Sequence, residues 1–450
     1  MLPDLRARQG LFLGIDLGTS GIRIAAIDQN DRVRAMIARA WPPQGAMDPG
    51  VWNRMTQDLL ARLLRRIDRT QVRALAVDGT SGTVMLCGSC GAPRGRALAY
   101  DDDRAHEEAK RVAAVAPSSA AAGAAGGPAK LLWLRARRLG AHRALTQAGF
   151  VSGCLTGRYT TCDEHNALKL GADGRRWPQW LRTLGLTGLL PRIAAPGTPI
   201  GRLSPGLCRR LGLPQAPWVM AGTTDSTAGI LALGPLPAGT AVTTLGSTLV
   251  VKIVSRVPVD VPDMGIYSHR LGRSWLIGGA SNSGGRVLRH FFSVGEIERL
   301  SAHLPLPHPT GLSYYPLLRA GERFPVCDPQ WPPRLTPRPA DDAIFLQGLM
   351  EGLAAIERLS YETLAAKGAP YPARVITLGG GAGNRAWQVI RAGALGAPIT
   401  TARVSAAAGT ARLAHQGLRS SCPEERPPQR RYDRPARTGR KKQGRSGRDR

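Results

Sequence analysis

Asp225 closes the stretch Ala221-Gly222-Thr223-Thr224-Asp225, directly after the apolar run Trp218-Val219-Met220. A carboxylate at the end of a buried strand, with a glycine letting the backbone approach a ligand, can accept a hydroxyl proton. Asp is also a favoured helix cap, so Asp225 can equally begin a helix near Ser226. A second carboxylate, Asp16, ends the run Leu11-Phe12-Leu13-Gly14-Ile15 and precedes the turn Leu17-Gly18-Thr19-Ser20-Gly21. Beside hydroxyls it suits a hydrated magnesium ion near phosphates, or it simply orders the turn. Thr243-Thr244-Leu245-Gly246-Ser247-Thr248 echoes that turn in the second half of the chain. Backbone N–H groups in such turns can wrap phosphate. Neither turn carries the Gly-x-x-x-x-Gly-Lys-Ser/Thr pattern, and Gly379-Gly380-Gly381-Ala382-Gly383 is no dinucleotide fingerprint, although it stands between a strand and a helix.

The elements that must hold these residues read as alternating strands and helices. Leu11–Asp16 and Ile22–Ile27 form one predicted hairpin and Thr240–Val254 another; Ala74–Val77 and Arg374–Leu378 are short buried strands. Helical spacing of apolar residues appears over 52–67, 177–190, 343–367 and 385–395. Residues 111–127 are Ala/Gly-rich and carry no chemistry. The alternation predicts an α/β fold, and the paired Gly/Thr/Ser hairpins predict a duplicated domain. The expected division is 1–232, 233–417 and a Pro-, Arg- and Gly-rich tail, 418–450, expected to be disordered.

With 450 residues the chain is long enough for two domains. Its net charge of +29 would ordinarily suggest nucleic acid, but only seven of its 61 basic residues are lysines, a compositional skew rather than a binding face. From Arg419 onward twelve Lys/Arg oppose four Asp/Glu, so part of the excess belongs to the tail. No specific nucleic-acid partner and no membrane are expected, and an oligomer stays open. Seven scattered cysteines suggest reduced thiols and a cytoplasmic protein; Cys87 and Cys90 form a lone C-x-x-C in a Gly-rich turn.

Taken together, Gly14–Ser20, Gly222–Asp225, Leu245–Thr248 and Gly379–Asn384 resemble, in order and spacing, the motifs of the FGGY carbohydrate kinases, over Leu11 to about Leu413. That resemblance implies two duplicated ribonuclease-H-like, actin-like domains with a nucleotide cleft between them, ATP and Mg2+ as cofactors, and a small-molecule sugar substrate. It implies Asp225 as general base and Asp16 as the magnesium carboxylate. Gly18, Thr19, Ser20, Gly246, Ser247, Thr248, Gly380, Gly381, Asn384 and Trp387 are then expected around ATP. Asp16, Thr19, Ser81, Asp102 and Asp225 are expected around the sugar.

Within the family the chain is most similar to the D-ribulose kinase, xylulose-kinase-like branch, on Val77–Thr83, Asp163–Gly171, Tyr267–Gly272, Gly278–Asn282 and Gly321–Pro325. Where xylulose kinases carry Gly-Gln-Met-His-Gly, this chain has Gly79-Thr80-Ser81-Gly82-Thr83, which makes Ser81 the candidate for a ketose hydroxyl. Asp102 and Arg104 fall on the polar positions of the family's Trp-x-Asp-x-Arg element. His165 and Asn166 are open between ordering a loop and touching sugar; for His269 and Arg270 a structural role is expected. The implied reaction is ATP-dependent phosphorylation of D-ribulose, with a D-xylulose or pentitol kinase, or a non-catalytic nucleotide- or sugar-binding regulator, as alternatives. The family ends in a helix that packs back on the first domain; here periodicity fades beyond about Gly417, so a short closing helix is expected.

Overall fold

The structure, a computed structural model, describes residues 10–421 except 120, 138, 139, 305 and 307. Strands β1 (Leu11–Leu17), β2 (Gly21–Ile27), β3 (Val33–Ala40), β4 (Val72–Gly79), β5 (Pro199–Arg202) and β6 (Trp218–Thr224) form one sheet in the order β3-β2-β1-β4-β6-β5. The central strands β1, β4 and β6 run parallel. Buried on both faces, they read in sequence as near-continuous apolar runs. Their carboxyl ends carry Asp16, Asp78 and Thr224, the edge of an open α/β sheet where ligands bind.

Strands β7 (Thr240–Leu245), β8 (Leu249–Ser255), β9 (Tyr267–Leu271), β10 (Ser274–Ala280), β11 (Arg374–Leu378) and β12 (Ile399–Thr401) form a second sheet, in the order β9-β10-β8-β7-β11-β12. Each sheet opens with an antiparallel hairpin, β1–β2 and β7–β8, followed by a parallel partner, β4 or β11. The repeat in the sequence is thus a repeat in topology.

Helix α1 (Pro49–Leu64) is started by Asp48, whose Oδ1 accepts from the N–H groups of Gly50 and Val51, and buries Trp52, Leu59, Leu60 and Leu63 against the first sheet. Helix α2 (Glu164–Leu168) and helix α3 (Asp225–Leu231) are short and stand beside β6. Helix α4 (Asp342–Ala366) covers the second sheet, and α5 (Arg385–Leu395) is capped by Asn384, whose Oδ1 accepts from Trp387 N at 2.9 Å. The last helix, α6 (Ala406–Ser421), lies on the first sheet and not on the second. Gly14 permits that contact, since a Cβ there would stand 1.9 Å from the Ala407 carbonyl oxygen. Phe12 stacks on His415 with ring centroids 4.2 Å apart.

Two expectations need correction. Residues 177–190 hold only the short helix Gln179–Thr183 and a 3-10 turn at Thr187–Leu189, because Leu181, Leu184 and Leu186 are buried one by one and form no continuous stripe. The closing helix does not fade at Gly417. It runs to Ser421, where the hydroxyls of Ser420 and Ser421 donate back to the carbonyls of Gln416 and Gly417. The tail expected beyond it lies, from residue 422, outside the described residues. The six described cysteines, Cys87 and Cys90 among them, are free thiols. Among the described residues no helix is long and apolar enough to cross a membrane.

Candidate functional site

β6 delivers Asp225 to the junction between the sheets. The cap of α3 is Thr224, whose Oγ1 accepts from Thr227 N, and Asp225 is the first helical residue. Its Oδ1 accepts from Ser226 N at 2.7 Å, and Oδ2 is not committed to that contact. Burial pushes the Asp225 carboxyl up to about 6; the Ser226 N–H opposes this, the Asp16 charge adds to it, and the Lys252 ammonium counters.

Asp16 and Asp78 are cross-strand neighbours on parallel β1 and β4. Both are buried, and burial raises both carboxyls, Asp78 well above the usual range with the Asp16 charge reinforcing it. Thr410 Oγ1, from α6, donates to Asp78 Oδ2, while Asp78 Oδ1 is buried without a partner. Arg23 reaches Asp16 Oδ2 at 3.4 Å from its exposed position on β2. Asp16, Asp78 and Asp225 therefore feel one another's charge. The sequence singled out Asp16 and Asp225 but gave Asp78 no role; its signal was the alignment of two strand-end aspartates.

The turn after β4 is rigid except at one hydroxyl. Thr80 and Thr83 bond each other at 2.6 Å, Thr80 also bonds Gln147 Oε1, and buried Lys130 donates to the carbonyls of Gly82 and Ala99 at 2.7 Å each. Ser81, half-buried, has no hydrogen-bond partner among the described residues. Asp102 accepts from Arg104 Nε at 2.8 Å, so its charge is already paired. His165 bonds Thr223 Oγ1 at 2.7 Å and the Arg270 carbonyl at 3.0 Å, and Asn166 donates to the Thr223 carbonyl. Both residues brace β6, the strand that aims Asp225. Burial holds His165 neutral, down to about 3. His269 packs edge-on against it at 4.9 Å.

A cavity of about 810 Å3 opens on the second domain. Gly246, Ser247, Gly380, Gly381, Asn384 and Trp387 line it together. Trp387 is buried, with its ring against Gly381, where a Cβ would stand 2.7 Å from the indole. Arg289, unforeseen in the sequence, also lines the cavity and donates to Ser247 Oγ at 3.0 Å. Thr248 is behind this wall, its carbonyl accepting from Gly246 N. Gly18, Thr19 and Ser20 stand apart, in the β1–β2 turn of the first domain, with Thr19 and Ser20 exposed. Among the described residues no cluster of three or more His, Cys, Asp or Glu could by itself enclose a metal.

Residues 241–416 match the model of the FGGY family of carbohydrate kinases, C-terminal domain. Over 435 residues the chain is 24% identical to a xylulose kinase of Escherichia coli (strain K12), covering 90% of this chain and 89% of that protein. A xylulose kinase structure from Brucella ovis superposes with a TM-score of 0.80 at 23% identity, covering 90% and 91% of the two chains. One from Rhodospirillum rubrum gives 0.78 at 20% identity, covering 91% and 90%.

Proposed function

We propose that the chain is a carbohydrate kinase of the FGGY family with xylulose-kinase-like character, and that it transfers the γ-phosphoryl group of ATP to the terminal hydroxyl of a five-carbon ketose, D-ribulose, giving the 5-phosphate. The observation that carries this reading is Asp225 itself. Thr224 has taken the capping role, which leaves a half-buried carboxylate with its pKa raised toward neutrality at the domain junction.

Asp225 accepts the proton of the attacking hydroxyl, and the acceptor is held by Ser81, whose hydroxyl is free for a sugar oxygen. The small residues of Gly79–Thr83 stand where xylulose kinases carry a Met-His pair, which makes Ser81 the candidate contact for a ketose hydroxyl. D-xylulose is the second reading, favoured by the relatives named above. The glycine-lined cavity has the size and the aromatic wall for a nucleoside, with Ser247 and Arg289 toward phosphate. Catalysis then rests on positioning and charge neutralisation, because phosphoryl transfer passes through a loose, anionic transition state.

The residues fit a magnesium ion: Asp16 is a buried carboxylate, and the orphaned Oδ1 of Asp78 is next to it. Mg2+ is typically held by one or two carboxylates, waters and substrate phosphates, and does not need an all-protein cage. Bound there, it would neutralise developing phosphate charge. Asp16 would be its principal protein ligand.

The test is a coupled ADP-release assay over a panel of pentuloses and pentitols. D-ribulose is expected to give the highest kcat/KM; a clear preference for D-xylulose or a pentitol would replace it. Asp225→Asn is expected to abolish sugar-dependent ADP release while nucleotide binding survives.

A further inference from the structure

Lys252 is on β8, in the second domain, yet its ammonium crosses to the first. Nζ donates to Ser226 Oγ at 3.2 Å, one residue from Asp225. The side chain is 6% exposed. Its path is made by Gly278, its partner on β10, where a Cβ would stand 2.7 Å from Lys252 Cγ. Ser226 Oγ is the only hydrogen-bond partner of this ammonium among the described residues, so two of its three N–H donors are unused. A buried ammonium left that way is costly unless an anion faces it.

The composition of the chain sharpens the point. Arginine supplies all but seven of its 61 basic residues. Where the chain otherwise prefers arginine, this position keeps lysine.

We propose that Lys252 is a positioning residue for phosphoryl transfer: reaching from the second domain, it holds the Asp225 carboxylate ionised and turned toward the acceptor hydroxyl. The inference rests on Asp225 being the base. In the step itself the acceptor O–H proton passes to Asp225, the acceptor oxygen bonds to the γ-phosphorus, and the bond from phosphorus to the bridging oxygen breaks, with its electron pair leaving on ADP. Lys252 keeps its protons throughout. When the domains separate, the base loses its counter-charge, which ties its readiness to closure.

The groups facing Asp225 and Lys252 set the balance. Asp16 from β1 opposes ionisation of Asp225, and the charge of Asp225 in turn opposes ionisation of Asp78 on β4. Tyr267 from β9 stands beside Lys252, with Lys169 Nζ 4.6 Å from the centre of its ring, and Tyr100, His165 and His269 complete the surroundings. Burial lowers the pKa of Lys252; the charges of Tyr267 and Asp225 offset only part of this, and the Lys169 ammonium adds to the lowering.

The experiment measures sugar-dependent kcat/KM against pH at saturating ATP, for the wild type, Lys252→Met, Lys252→Gln and Lys252→Arg. Removing the ammonium is expected to move the acid limb upward by about one pH unit, which is about a tenfold loss on that limb. Activity recovers at higher pH, and the KM for ATP is unchanged. Lys252→Arg, which conserves the charge, is expected to keep the limb near its wild-type position. If Lys252→Met does not fold, Lys252→Gln carries the same test. An acid limb that stays in place while activity falls equally at every pH overturns the proposal. Asp225→Asn separates the two ideas: sugar-dependent turnover in that variant removes the base reading, whereas an inactive Asp225→Asn with an unmoved limb in Lys252→Met removes only the role of Lys252.

Discussion

Asp16 and Asp78 face each other in register across two parallel strands, and a threonine from the last helix, Thr410, completes the pair by donating to Asp78. Burial and the neighbouring charge raise the Asp78 pKa, so its neutral form is favoured in the folded state. A folded-state pKa above the unfolded one means that the unfolded chain binds fewer protons, and stability falls as pH rises above the ordinary carboxylate range. Asp78→Asn is expected to flatten that dependence while keeping the contact with Thr410. Asp78→Ala, which strands the threonine hydroxyl, is expected to cost about 1–3 kcal/mol. Urea unfolding of both variants at several pH values decides between them; equal losses in the two would refute the neutral form.

With Asp225 as the proposed base, its protonation sets the expected pH profile of turnover. A general base works as its carboxylate, and burial has pushed this one up to about 6. Activity is therefore expected to be full above that pH and to fall on acidification through it, approaching a tenfold decrease per pH unit. An acid limb of kcat/KM down at the ordinary carboxylate pKa would count against Asp225 as the proposed base.

Under the second domain, Arg391 and Glu357 form a fully buried ion pair with contacts of 2.5 and 2.7 Å, extended by Thr377, Thr243 and Tyr361. Arg391→Met leaves Glu357 buried without its counter-charge, and is expected to destabilise by about 3–5 kcal/mol. Replacing both partners, Arg391→Met with Glu357→Leu, is expected to recover much of that loss. Denaturant midpoints of the single and double variants provide the check.

Close helix packing gives a matched pair of glycine tests. A Cβ at Gly409, on α6, would stand 1.8 Å from the Ala228 carbonyl oxygen of α3, whereas one at Gly393, on α5, would meet nothing within 4 Å. Gly409→Ala is expected to lower stability and activity together by forcing α6 away from the helix that begins with Asp225. Gly393→Ala is expected to be neutral or to gain up to about 1 kcal/mol from helix propensity. Thermal unfolding distinguishes the two; equal effects would show that the close approach is not needed.

Strands β1 and β11 and helix α5 were legible because each is a bounded apolar run or a clear period. The hairpin motifs were legible because glycine and hydroxyl residues recur at matched places in both halves. Asp78 was not, since its importance comes from strand register, which brings it beside a residue 62 positions earlier in the chain. Lys252 was hidden for the same reason: it is a single charge within an apolar strand, and only the fold shows that its ammonium meets the other domain. The helical pattern over 177–190 misled because separate buried leucines imitate a stripe. The run of α6 past Gly417 was missed because its last turn is held by serine hydroxyls, which sequence periodicity does not register.

Residues Ala411 and Ala414 of α6 close a patch of core with Phe12, Ile27, Ala74, Ala76 and Met220. The first sheet is thus finished by a helix that comes after the whole second sheet in the chain. A nascent chain must carry that apolar face uncovered until α6 leaves the ribosome, and a product cut short before Ala406 would expose it permanently, a ready target for chaperones and proteases.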